Sequence, residues 1–126
     1  MKNNIKILVA DDNKHFLNAF QYVLMDSFKN NIETIHLTKS GDECLSVLSK
    51  DNVDVCFLGV EMPEVNGVEL TKKIVESYRG VVVIALSFHK EIMIVKKMID
   101  AGARFFLSKE DINHDELELI FERYLN

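Results

Sequence analysis

The chain has 126 residues, a size that suits one compact domain, is too short for two, and needs no disulfide or metal to complete its core. Hydrophobic residues at 48% beside charged residues at 28% exclude a disordered tail, and no apolar run approaches the roughly 20 residues of a bilayer span. Twenty acidic side chains against 15 basic ones leave a net charge of −5, which argues against a domain that grips nucleic-acid phosphates by itself.

In chain order, Met1-Lys2-Asn3-Asn4 leads into a first predicted strand at 5–10. Its apolar stretch is too short for a secretory signal, so a cytoplasmic protein is expected, with Cys44 and Cys56 as reduced, buried thiols lacking metal-site spacing. Phe16, Phe20, Val23 and Leu24 form a helical stripe. A β-branched, more polar run at 32–37 predicts a second strand, and Leu45 with Leu48 a second helix. The third strand is expected at 53–58; Pro63 and Gly67 then give the next loop a defined shape before a helix carrying Leu70 and Ile74. The run at 81–86 is continuously apolar, as a strand buried on both faces should be. The stretch 91–102 is unusually greasy, but all its large apolar residues except Met93 fall in an arc of roughly 160°, which one buried face can absorb. A short strand at 104–107 and a helix with Leu117, Ile120, Phe121 and Tyr124 complete the series.

Strands alternating with helices predict a parallel sheet with right-handed crossovers and helices on both faces. The order 2-1-3-4-5 is expected, with the first and last helices on one face and the other three opposite. Sites in such sheets form at the carboxyl ends of the strands. There the sequence places Asp11-Asp12 after the first strand, Ser87-Phe88 after the fourth, and Ser108-Lys109-Glu110 after the fifth. Adjacent carboxylates suit a hard divalent cation such as Mg²⁺, but on the dipeptide alone capping of a helix that begins near Asn13 is the commoner use. A lysine at a strand end is in place to neutralise them, or is simply solvated.

Taken together, these segments resemble the receiver domain of bacterial two-component response regulators over roughly the whole chain. The resemblance rests on Ile7-Leu8-Val9-Ala10-Asp11-Asp12, Ser40-Gly41-Asp42-Glu43-Cys44-Leu45, Met62-Pro63-Glu64-Val65-Asn66-Gly67, Ser87, and the segment from Ala101-Gly102-Ala103 through Phe105-Phe106-Leu107-Ser108-Lys109. It implies an α/β, flavodoxin-like doubly wound five-stranded parallel sheet, with residues 1–126 as one receiver domain and no enzyme. It also implies roles: Asp11 and Asp12 as the acidic pair that holds Mg²⁺ with the backbone carbonyl of Glu61, Ser87 as the switch hydroxyl, Phe106 as the aromatic that follows it, and Lys109 as the lysine that pairs with a phosphoryl oxygen.

One residue is missing from that set. The family's third strand ends in an aspartate three residues before Met-Pro, which becomes an acyl phosphate; here the position is Gly59. Asp54 cannot substitute, lying roughly 15 Å away along an extended strand. Glu61, two positions on, is the nearest acid; its longer side chain is able to reach the pocket as a substitute nucleophile or metal ligand, but solvent exposure is its default. Phe88 stands where a small residue is usual, and Glu110 replaces a proline whose preceding bond is typically cis, so a trans bond and a displaced Lys109 are expected.

The sequence therefore describes a pseudo-receiver, a switch module that binds a sensor histidine kinase or a signalling or output protein without phosphorylation at the usual site. The alternative is a phosphorylatable transcriptional regulator whose acceptor was substituted afterwards. A flavodoxin-type cofactor binder is disfavoured because Asp11-Asp12-Asn13 would repel a phosphate, and a phosphatase because its acids should stand one residue apart. Mg²⁺ binding is expected to be weakened. A monomer or weak homodimer through Phe105, Met93 and the lysines of the fourth helix is expected, with no membrane contact; DNA binding would belong to an output domain outside this segment.

Overall fold

The computed structural model describes residues 1–62, 65–88 and 91–125. Pro63, singled out above for the shape of its loop, lies outside the described residues. The elements run β1 (Ile5–Ala10), α1 (Lys14–Phe28), β2 (Ile32–Thr38), α2 (Gly41–Lys50), β3 (Val55–Gly59), α3 (Gly67–Ser77), β4 (Val82–Ser87), α4 (Ile92–Ala101), β5 (Phe105–Ser108) and α5 (His114–Tyr124). The five strands form one parallel sheet in the order β2-β1-β3-β4-β5, as expected.

Alternation along the strands divides the core into two layers. Ile5, Ile7 and Val9 of β1 face one side with Val55, Phe57, Ile84 and Leu86, where α1 adds Leu17, Phe20 and Leu24 and α5 adds Leu117, Ile120 and Phe121. Phe57 meets Phe20 and Phe121 edge-on, with ring centroids 5.0 and 6.4 Å apart. Leu8, Ala10, Cys56, Leu58, Val83 and Ala85 face the other side, covered by Cys44 and Leu48 of α2, Leu70 and Ile74 of α3 and Met98 of α4. Cys44 and Cys56 are free, buried thiols; a hydrogen bond between them, then burial, pushes Cys56 well above the ordinary thiol range.

Side chains set the helix starts. Asn13 accepts from the Phe16 N–H, Ser40 from Glu43, Asn66 from Val68 and Asn113 from Glu116. Gly102 ends α4 at φ 120°, a conformation that disfavours any side chain, and a Cβ there would lie 2.8 Å from Val75.

Two expectations need correction. The third strand begins at Val55 rather than 53: at Asp54 the Lys6 N–H is taken at 2.8 Å by the side-chain carboxylate instead of a strand carbonyl, so the ladder starts one residue later. The greasy fourth helix does not sink its whole apolar arc: Met98 and Ala101 are buried, but Ile92 is 81% and Ile99 42% exposed, alongside Met93 at 63%. Seated on the small Ala101, α4 centres its contact on one edge of the arc and leaves the other edge outside.

Candidate functional site

The carboxyl ends of β1, β3, β4 and β5 converge as the strand order requires. Asp11 follows β1 and is fully buried. Its Oδ1 accepts the Asn13 N–H at 2.9 Å, and its Oδ2 lies 2.6 Å from Lys109 Nζ, an ion pair rather than an aligned hydrogen bond. The acidic pair therefore does not cap α1 with its own side chains, since Asn13 does that. Asp12, by contrast, is exposed and lines an open cavity of about 570 Å³ with Glu61, Met62, Asn66, Ile94 and Lys97.

Lys109 follows β5, its bond to Glu110 is trans, and its ammonium reaches Asp11. Its ammonium lies 4.3 Å from the centroid of the Phe16 ring and 5.4 Å from that of Phe88. Two aromatic faces and one carboxylate thus surround a largely buried cation. Phe16 was legible only as part of an apolar stripe, and nothing in its spacing announced a ring beside Lys109.

Gly59 closes β3 beside Asp11. A Cβ at that position would lie 2.7 Å from Asp11 Oδ2 and 3.2 Å from the Ala10 carbonyl oxygen. The space in which a side chain at 59 would start is already filled by the Asp11 carboxylate, held there by Lys109.

Glu61 is exposed as a residue, yet its carboxylate has a partner within the chain. The buried Ser87 hydroxyl donates to Glu61 Oε1 at 3.1 Å. Sequence reasoning missed this contact. Ser87 in turn ties β4 to β5: it stands opposite Ser108 in register, and its carbonyl accepts the Lys109 N–H at 2.9 Å. Phe106 is half-buried, opposite Ala85, and packs into the layer covered by α2, α3 and α4.

The structure thus brings Asp11 to Lys109 and Ser87 to Glu61. As arranged, these side chains offer no ready-made cage for Mg²⁺. Both Asp11 oxygens are engaged by cationic or N–H partners, and among the described residues no group of three or more His, Cys, Asp or Glu side chains is arranged to hold a metal.

Comparison with known proteins follows the same lines. Residues 7–122 match the response regulator receiver domain family. The transcriptional regulatory protein DegU of Brevibacillus brevis is 30% identical over 109 residues, covering 86% of this chain and 45% of that protein. The transcriptional regulatory protein UhpA of Escherichia coli is 31% identical over 113 residues, covering 90% and 55%. The chain spans about half the length of these curated relatives. The signal receiver domain of an HD domain-containing protein from Pseudomonas fluorescens superposes with a TM-score of 0.86 at 23% identity, covering 99% of this chain and 89% of that one. The chemotaxis response regulator CheY4 of Vibrio cholerae gives 0.81 at 22%, covering 95% and 98%. At such identities the superpositions speak for the fold; the family match speaks for descent. The chain belongs to the response regulator receiver domain family.

Proposed function

We propose that this receiver domain is a protein-interaction switch module that is not phosphorylated at the family's usual position. The observation that carries the reading is the place of Gly59: no carboxylate is present to be acylated, and Asp11 Oδ2 fills the space where one would begin. Asp11 and Lys109 then act as a closed ion pair rather than as an open acidic pocket, and Mg²⁺ binding through Asp11, Asp12 and the Glu61 carbonyl is weak. Ser87 and Phe106 retain the switch roles that their positions suggest, and regulation comes from a partner that prefers one of two states.

The partner is a sensor histidine kinase or a signalling or output protein, in the cytoplasm. Similarity to DegU and UhpA, both named transcriptional regulators, supports an output in transcription, with any DNA contact made outside this acidic segment. Among the described residues no helix is long and apolar enough to cross a membrane. Self-association is absent or weak, through the face of α4 and β5.

The test is intact mass after incubation with acetyl phosphate or phosphoramidate and Mg²⁺. The expected mass is unchanged, and beryllofluoride leaves the amide spectrum unmoved. Incorporation of an acid-stable, base-labile phosphate would falsify the reading.

A further inference from the structure

We infer that the Glu61 carboxylate is an internal acceptor that engages the Ser87 hydroxyl in place of an external group, setting the β4–β5 switch without covalent modification; the inference rests on the reading above, in which position 59 carries no phosphoryl group. Ser87 is buried at the end of β4, so its hydroxyl needs an acceptor, and an ionised carboxylate is a strong one. Glu61 supplies it at 3.1 Å.

The loop is built to hold Glu61 there. The Val60 N–H donates to the Leu86 carbonyl at 3.0 Å, fixing the loop's start to β4 one residue from Ser87. The Gly67 N–H donates to the Val60 carbonyl at 3.2 Å, and Glu61 bridges Asn66 antiparallel, so the loop closes on itself. That closure requires glycine, because a Cβ at 67 would lie 2.6 Å from the Val60 oxygen.

Lys109 is held in the same internal fashion, by Asp11 and the Phe16 and Phe88 rings. Each group at these strand ends that an incoming anion would bond already has a partner from the chain itself. Ser87 is joined to β5 through its carbonyl and Lys109, and β5 carries Phe106 two residues before Ser108. The Glu61–Ser87 contact therefore reaches the outer strand through bonded neighbours.

The experiment compares ¹⁵N amide spectra of the parent chain with Glu61→Ala, Glu61→Gln, Ser87→Ala and the Glu61→Ala, Ser87→Ala double variant, with phosphodonor treatment and intact mass run on the parent in parallel. Glu61 is exposed, so its substitution leaves the core intact. Glu61→Ala is expected to shift or exchange-broaden the Ser87, Phe106 and Lys109 amides, Ser87→Ala to move the same set, and the double variant to move it no further. Glu61→Gln keeps an oxygen acceptor and is expected to restore the parent pattern. Changes confined to residues 60–62 in Glu61→Ala, additive effects in the double variant, or identical shifts in Ala and Gln variants overturn the internal acceptor while leaving the parent reading intact. Phosphate gained by the parent chain overturns the parent reading itself.

Discussion

Two carboxylate–ammonium pairs hold opposite ends of the sheet, and they differ in burial far more than in length. At the carboxyl end, Lys109 and Asp11 lie 2.6 Å apart with side chains 11% and 1% exposed; at the amino end, Lys6 and Asp51 lie 2.8 Å apart, each 27% exposed. Asp51 also meets His36 Nε2 at 2.9 Å, and Lys6 meets Glu33 at 3.6 Å. The outer pair shares its charges with neighbours and water, so losing one member leaves the other solvated. The inner pair has no such relief, because a buried charge without its partner is unstable. One pair fastens an edge; the other closes a site.

The largest expected effect tests that difference directly. Lys109→Met leaves the buried Asp11 charge without its cationic partner, a loss of about 3–5 kcal/mol in urea unfolding. Adding Asp11→Asn to that variant should recover part of the loss. Lys6→Met should cost measurably less than Lys109→Met, and equal losses would erase the contrast.

A smaller effect is expected at Gly59→Asp. The new Cβ meets Asp11 Oδ2 at 2.7 Å and the Ala10 oxygen at 3.2 Å, so Asp11 must rotate off Lys109. Crowding of this kind costs about 1–3 kcal/mol. Small phosphodonors should then give slow but detectable phosphorylation, where the parent gives none. A variant as stable as the parent would show that Asp11 is only loosely held.

The smallest effect sharpens the outer pair. A hydrogen bond from Lys6, then one from His36, holds the Asp51 carboxyl at about 2, below its ordinary 3.8. A carboxyl whose value is lowered by folding stabilises the fold in full above 3.8, and that contribution is lost as pH falls through about 2. Asp51→Asn should therefore flatten the stability–pH curve across this window, read by chemical unfolding at stepped pH.

Much of the fold was legible because periodicity and burial point the same way. The 5–10 strand matches β1 residue for residue, and the 81–86 run lies within one residue of β4, since a strand covered on both faces leaves an unbroken apolar signature. Asp11, Ser87 and Lys109 were legible because each immediately follows or closes a strand in a sheet whose ends converge. The Glu61–Ser87 contact was not, because it depends on how the loop from Val60 to Gly67 closes, and hydrogen bonds across 26 positions leave no periodic trace. Nor was the seat of the Asp11 carboxylate against position 59, which depends on an absent side chain rather than a present one. The exposure of Ile92 and Ile99 escaped for a third reason: an apolar arc tells which residues can be buried, not how deeply the helix is seated.

That shallow seating has a consequence for how the domain opens. The helix α1 buries Leu17, Phe20, Leu24 and Phe28, whereas α4 buries only Met98 and Ala101. Few fully buried side chains favour local opening, so the amides of α4 are expected to exchange through sub-global fluctuations ahead of those of β1 and β3, an order that hydrogen exchange reads directly. By the number of side chains fully buried, α4 is the more shallowly seated of the two helices. A partner that takes hold of α4 needs to work only against this local opening energy, not against the stability of the whole domain.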